Sequence, residues 1–135
     1  NVTTPRDMSR FFQLLLAGEV VNADVSAELL DILKQQMVAD RFPYLLPDPT
    51  DMAHKTGNLD HVVHDVGIIW APDGPVILAA MVENPPDDDR ATQIVQRLAL
   101  IAYGTYDVPP FTDVAVPEEP DTTESPDAVD EESGE

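Results

Sequence analysis

Apolar residues recur along this chain with two different periods, and the change from one to the other divides it into regions. Met8, Phe11, Phe12 and Leu15 stand at helical spacing. Ahead of them, Thr4-Pro5 followed by Asp7 reads as an N-cap, a proline at the first helical position and an acid in the first turn, and Gly18 reads as the C-cap. The pattern predicts a helix over residues 5–17. A second helix is expected from Ala23 to Met37, capped by Asn22, with Val25, Leu29, Ile32, Leu33 and Gln36 or Met37 on one stripe. Both stripes read as core packing. Between Asp40 and Asp51, Pro43, Pro47 and Pro49 forbid regular structure and predict an extended connector.

The period then shortens. Strands are expected at 51–57, 62–70 and 76–83, the last two joined at Pro72-Asp73-Gly74-Pro75, a hairpin signal flanked by the strand formers Ile68, Ile69, Trp70, Val76, Ile77 and Leu78. An antiparallel meander is the economical reading. Pro85-Pro86 ends the third strand, and Asp87 to Asp89 place negative charge where a helix begins. The stripe expected for that helix is Ala91, Ile94, Val95, Leu98 and Ile101 or Ala102, covering one face of the sheet. Beyond Asp107 the chain turns to proline, acid, serine and threonine, with too little apolar content to offset ordering entropy. Residues 1–112 are therefore read as the folded portion and 113–135 as an acidic disordered tail.

Charge sharpens that division. The chain of 135 residues has a formal net charge of −19, and ten of its 26 acidic residues lie at 113–135 with no basic one among them. Both regions are acidic, which argues against nucleic acid as a partner. An acidic surface is also one that keeps a protein soluble in high salt. The absence of cysteine excludes disulfides, thiolate metal sites and a cysteine nucleophile. No run of eighteen apolar residues is present, so no membrane span is expected. Asn1 to Pro5 reads as the entry to a helix, so the chain reads as a piece of something longer.

The candidate chemistry centres on Lys55-Thr56-Gly57. On a regular strand the cation and the hydroxyl point to opposite faces, but an edge strand can present both, with its own N–H groups, to an acyl ligand. Glycine at 57 lets that ligand approach the backbone. The same stretch carries His54, expected on the face opposite Lys55 as a packed or hydrogen-bonded residue. His61 and His64 with Asp60 and Asp65 are a weaker candidate for a metal site, better read as a polar turn. Trp70 reads as core.

The order of these segments resembles the C-terminal part of class A β-lactamases and the penicillin-binding-protein-like serine hydrolases. Thr3-Thr4-Pro5-Arg6-Asp7-Met8 resembles that family's TTPxxM helix start, Leu14 to Gly18 its LLxG ending, and Asp40-Arg41-Phe42-Pro43 the DRxP connector of its divergent members. His54-Lys55-Thr56-Gly57, His64-Asp65 and the GIIWAP run from Gly67 to Pro72 resemble its third and fourth strands. The matches run over residues 3–104. They imply an α+β fold, β-lactamase/transpeptidase-like but partial: two helices, a three-stranded antiparallel sheet and a C-terminal helix.

The resemblance implies that Lys55 sits beside the nucleophile and attracts the substrate carboxylate, that Thr56 donates its hydroxyl to the same carboxylate, that Gly57 lets the acyl group lie along the strand, and that the Asn58 N–H is one of two oxyanion donors. The substrate implied is a β-lactam or a peptidoglycan-like acyl compound, with no cofactor and no metal. The departures are equally specific. None of Ser9, Ser26, Ser125 and Ser133 has lysine three residues on or asparagine two residues on, so S-x-x-K and S-D-N are missing, as is a recognisable deacylating glutamate. Where divergent members carry an arginine just before the His-Asp pair, this chain has Val63. The chain alone is expected to be inactive and to require an N-terminal portion of the domain, and export is expected by resemblance. A non-catalytic binding module and a D-Ala-D-Ala carboxypeptidase are the alternatives.

Overall fold

The computed structural model describes residues 2–104 and 109–112. Helix α1 spans Pro5–Leu16. Thr4 caps it by accepting from the Asp7 N–H at 3.2 Å, and returns its hydroxyl to the Asp7 carboxylate at 2.8 Å. At the other end Gly18 adopts φ 75°, while its N–H donates to Leu15 and that of Glu19 donates to Leu14. That double closure is the Schellman arrangement, and it needs a residue free to take a left-handed conformation.

Helix α2 spans Ala23–Lys34, with Asn22 accepting from the Val25 N–H. It stops three residues short of the expected Met37. Beyond Gln35 the Gln36 side chain accepts from the Val38 N–H, a local bond that competes with another helical turn. Ile32 and Met37 are exposed, and Leu29, Leu30 and Leu33 make the apolar contacts instead. The loop between the helices carries Val21 at φ 64°, closed by an Asn22 N–H to Val20 carbonyl bond.

The connector is not wholly extended. Phe42–Leu45 form a one-turn 3₁₀ helix with Pro43 in its first positions, where a missing N–H costs nothing. It seats Phe42 in the core.

Strands β1 (Met52–Leu59), β2 (Val62–Ala71) and β3 (Gly74–Glu83) form an antiparallel sheet in the order β1-β2-β3. Leu59 pairs with Val62 around Asp60-His61, and Ala71 pairs with Gly74 around Pro72-Asp73. Pairing alternates side chains between two layers. On one face Met52, Val63, Ile69 and Ala80 pack with Phe42 and helix α3, Asp88–Ala102. On the other, Val66 and Ile68 pack with Phe12 and Leu15 of α1 and with the apolar side of α2. Trp70 is half-buried in that second layer, and Lys34 stands 4.3 Å over its ring.

Helix α3 is capped by Asp87, which accepts from the Arg90 N–H, and it meets the sheet through the small residues Ala91, Val95 and Ala99. The stripe expected from the sequence is only half right. Ile94, Leu98 and Ile101 form a second apolar row at 41, 41 and 47% exposure, facing away from the sheet. Residues 109–112 lie back along α3. Arg97 donates to the Pro109 and Pro110 carbonyls, the Thr112 N–H donates to Gln93, and the Arg90 and Arg97 guanidinium groups stand 3.4 and 4.1 Å from the Phe111 ring centroid. The expected tail at 113–135 lies outside the described residues.

Candidate active site

The candidate residues lie on β1, an edge strand of the described sheet. Even-numbered positions of β1 face α3 and odd-numbered positions face α1 and α2. Lys55 and Thr56 therefore diverge: Thr56 is buried, while Lys55 is exposed and its ammonium turns back to the Thr56 carbonyl. Only the strand edge is shared by both.

Two glycines make room for two imidazoles. A Cβ on Gly57 would stand 3.1 Å from the His64 Cβ and 3.3 Å from its ring, so the bare backbone at 57 admits His64 across the strand pair. A Cβ on Gly67 would stand 2.4 Å from the Ala53 carbonyl oxygen and 2.6 Å from the His54 Cβ. Gly67 is the register partner of His54, and its missing side chain is where that residue packs.

His54 is buried, on the face opposite Lys55 as expected, and its Nδ1 lies 2.9 and 3.1 Å from the two carboxylate oxygens of Asp65. Asp65 is fully buried and also accepts from the Phe42 N–H at 3.1 Å. A buried carboxylate is tolerated when its lone pairs are met this way. His64 and Asp65, expected together in a polar turn, instead stand on β2 and face opposite layers, with His64 accepting from the Val82 N–H at 3.2 Å. Among the described residues no group of three metal-ligating side chains stands together.

Arg41 is the residue whose place the sequence pattern did not disclose. Its guanidinium is buried, donates from Nη2 to the Asn58 side-chain carbonyl at 2.9 Å, approaches Asp40 at 3.6 Å, and leaves Nε without a partner. Gln96 of α3 holds the Asp40 carbonyl at 2.8 Å, which fixes the start of the 3₁₀ turn. Asp40-Arg41 is legible as a connector motif, but only the fold brings it to the end of β1. There Gly57 and Asn58 border an open cavity of about 320 Å³ with Thr3, Leu59, His64 and Met81.

Helices against both faces of a three-stranded antiparallel sheet match, in part, the fold of class A-like serine hydrolases. The chain belongs to the β-lactamase enzyme family, whose profile matches residues 1–106. Among solved structures it is similar to the β-lactamase from Sphaerobacter thermophilus DSM 20745, at 33% identity and a TM-score of 0.66 over 76% of this chain and 41% of that one. It is also similar to PBP-A, at 30% identity and a TM-score of 0.67 over 76% of this chain and 39% of that one. The TLA-3 extended-spectrum β-lactamase follows at 25% identity and a TM-score of 0.66, over 76% and 41%. The chain thus spans about two fifths of the length of these structures. Comparison with curated protein sequences gives no match. No helix among the described residues is long and apolar enough to cross a membrane.

Proposed function

We propose that this chain supplies the carboxylate- and oxyanion-binding side of a serine β-lactamase-like active site. The observation that carries the reading is the placement of Lys55-Thr56-Gly57 on the edge strand of a sheet that matches β-lactamase structures. Lys55 attracts the substrate carboxylate, and the attraction strengthens as water leaves the cleft. Thr56 donates its hydroxyl to the same group, and Gly57 leaves the strand open to the acyl chain. The Asn58 N–H points to the carbonyl oxygen that becomes an oxyanion when serine attacks. Loss of such a donor costs roughly 100- to 1,000-fold in rate. Arg41 adds a second cation next to Asn58, on a chain that has Val63 where divergent members of the family carry an arginine.

In this reading the serine comes from an N-terminal portion of the domain, because none of Ser9, Ser26, Ser125 and Ser133 stands in an S-x-x-K or S-D-N pattern. Its hydroxyl adds to the amide carbonyl, the ring C–N bond breaks with the proton passing to nitrogen, and water then releases the acyl group. That portion would cover the outer edge of β3, with its unpaired backbone groups, and the apolar Ile94, Leu98 and Ile101 row, both of which favour association. Export is part of the same reading, by likeness to β-lactamases.

Nitrocefin tests the proposal. The isolated chain is expected to give no turnover, and a protein joining it to an N-terminal portion bearing S-x-x-K and S-D-N is expected to hydrolyse the compound, with Lys55→Ala reducing the rate at least 100-fold. Turnover by the isolated chain overturns it. The similarity to PBP-A, a mutant of which is described as an acyl-enzyme complex with penicillin-G, favours a second reading as a D-Ala-D-Ala carboxypeptidase. A long-lived penicillin adduct with acyl-D-Ala-D-Ala turnover selects that reading. A complete gene without the serine motifs selects a binding module.

A further inference from the structure

The carboxylate of Asp65 touches neither Lys55 nor Arg41 in any hydrogen bond described, yet it holds the neighbour of each. It accepts from the N–H of Phe42, the residue after Arg41, and it faces the Nδ1 of His54, the residue before Lys55. Asp65 is also the register partner of Thr56, so it stands behind the middle of the Lys-Thr-Gly run. One fully buried side chain thereby joins the connector to β1 at the place where the two candidate cations are set. The packing around it is close. Gly67 admits only the bare backbone beside His54, and the Phe42 ring lies 6.4 Å from the imidazole, centroid to centroid.

We infer that Asp65 is a positioning residue: through His54 and Phe42 it fixes Arg41 against Asn58 and holds the end of β1 in the geometry that receives a carboxylate. The last clause rests on the proposed function; the first does not. The chemistry follows from the donors present. A backbone N–H can only donate, so the Asp65 oxygen facing Phe42 accepts. An anionic carboxylate offers no proton, so His54 must donate from Nδ1, which fixes the ring's tautomer and orientation. Exchanging Asp65 for asparagine keeps the shape but turns an N–H₂ group or a carbonyl toward one of the two partners. Either choice loses one bond or forces the imidazole proton to Nε2.

Nitrogen-15 NMR on the isolated chain tests this. In the unmodified chain His54 is expected to carry a proton on Nδ1; a neutral ring protonated only on Nε2 overturns the inference without any variant. In Asp65→Asn, the Arg41 guanidinium protons and the Asn58 side-chain amide are expected to lose the shifts and slow exchange of their shared bond while the sheet amides keep theirs. Unchanged Arg41 and Asn58 signals overturn it. His54→Asn, which keeps a donor near the Nδ1 position, is expected to retain those signals, and His54→Leu to lose them. A His54→Leu chain that is folded and keeps them also overturns it.

The functional half is read with benzylpenicillin as the probe, through amide shifts at residues 55–58. Asp65→Asn is expected to weaken it about tenfold, the worth of one hydrogen bond. If Lys55→Ala abolishes the shifts and Asp65→Asn leaves the affinity unchanged, positioning for the carboxylate is overturned. If benzylpenicillin shifts nothing in the unmodified chain, the carboxylate reading falls, while the Arg41 and tautomer measurements still decide the role of Asp65.

Discussion

The two faces of the sheet are closed by opposite means. Toward α1 and α2 the core cluster is Phe12, Leu15, Val66 and Ile68, which need only the right volume, and the one buried polar side chain on those helices, Ser26, is satisfied locally by the Val20 backbone. Toward α3 and the 3₁₀ turn, Phe42, Val63, Ile69 and Val95 share the interior with His54, Thr56, Asp65 and Arg41, which need partners in fixed directions. The first face can be repacked; the second cannot be altered one residue at a time. Stability on the α1 side should thus follow size, and on the α3 side it should follow hydrogen-bond completeness.

The strongest way to break that contrast is a truncation series at Phe12. Phe12→Ala is expected to cost about 3–5 kcal/mol in urea unfolding, with Phe12→Leu well below it. Asp65→Leu keeps the branched heavy-atom outline with larger methyl ends and should cost about 2–4 kcal/mol, chiefly because the Phe42 N–H and His54 Nδ1 lose their acceptor. A cost near zero would make both faces alike. Gly67→Ala adds a single methyl where the Ala53 carbonyl and His54 already stand, and a loss of about 1–3 kcal/mol in thermal unfolding is expected. The smallest effect has the opposite sign. Val21, 83% exposed with a β-branched side chain at φ 64°, belongs to neither face, and Val21→Gly is expected to stabilise by about 1 kcal/mol.

Much of the α1 side was legible in the sequence, because caps and periodic apolar residues act locally. Thr4, Pro5 and Gly18 mark α1 without reference to any other element. The three strands and their order followed from alternation and turn residues. The α3 side was less legible for physical reasons. Helical spacing put Ile94, Leu98 and Ala91 into one broad stripe, yet the sheet takes only the row of small residues, since these let the backbones approach. Prolines in the connector suggested an extended chain, whereas Pro43 opens a helical turn. Lys55, Thr56, Gly57 and Asn58 were visible as a motif. The support beneath them, Arg41 to Asn58 and Asp65 to His54, spans 17 and 11 residues of sequence, and no periodicity encodes such a bond.

The short segment 109–112 has a consequence for anyone placing a probe on this chain. Pro109 is held at Arg97, Thr112 at Gln93 and Phe111 against Arg90, so the backbone doubles back and travels toward the beginning of the helix. The backbone at Thr112 therefore stands beside the first turns of α3, on the side of Asp89 and the 3₁₀ turn. A probe placed at Thr112 itself would sit about four residues' rise, roughly 6 Å, back along the helix from Arg97, not beyond Ala102. Distances measured from such a label should be laid out from that origin.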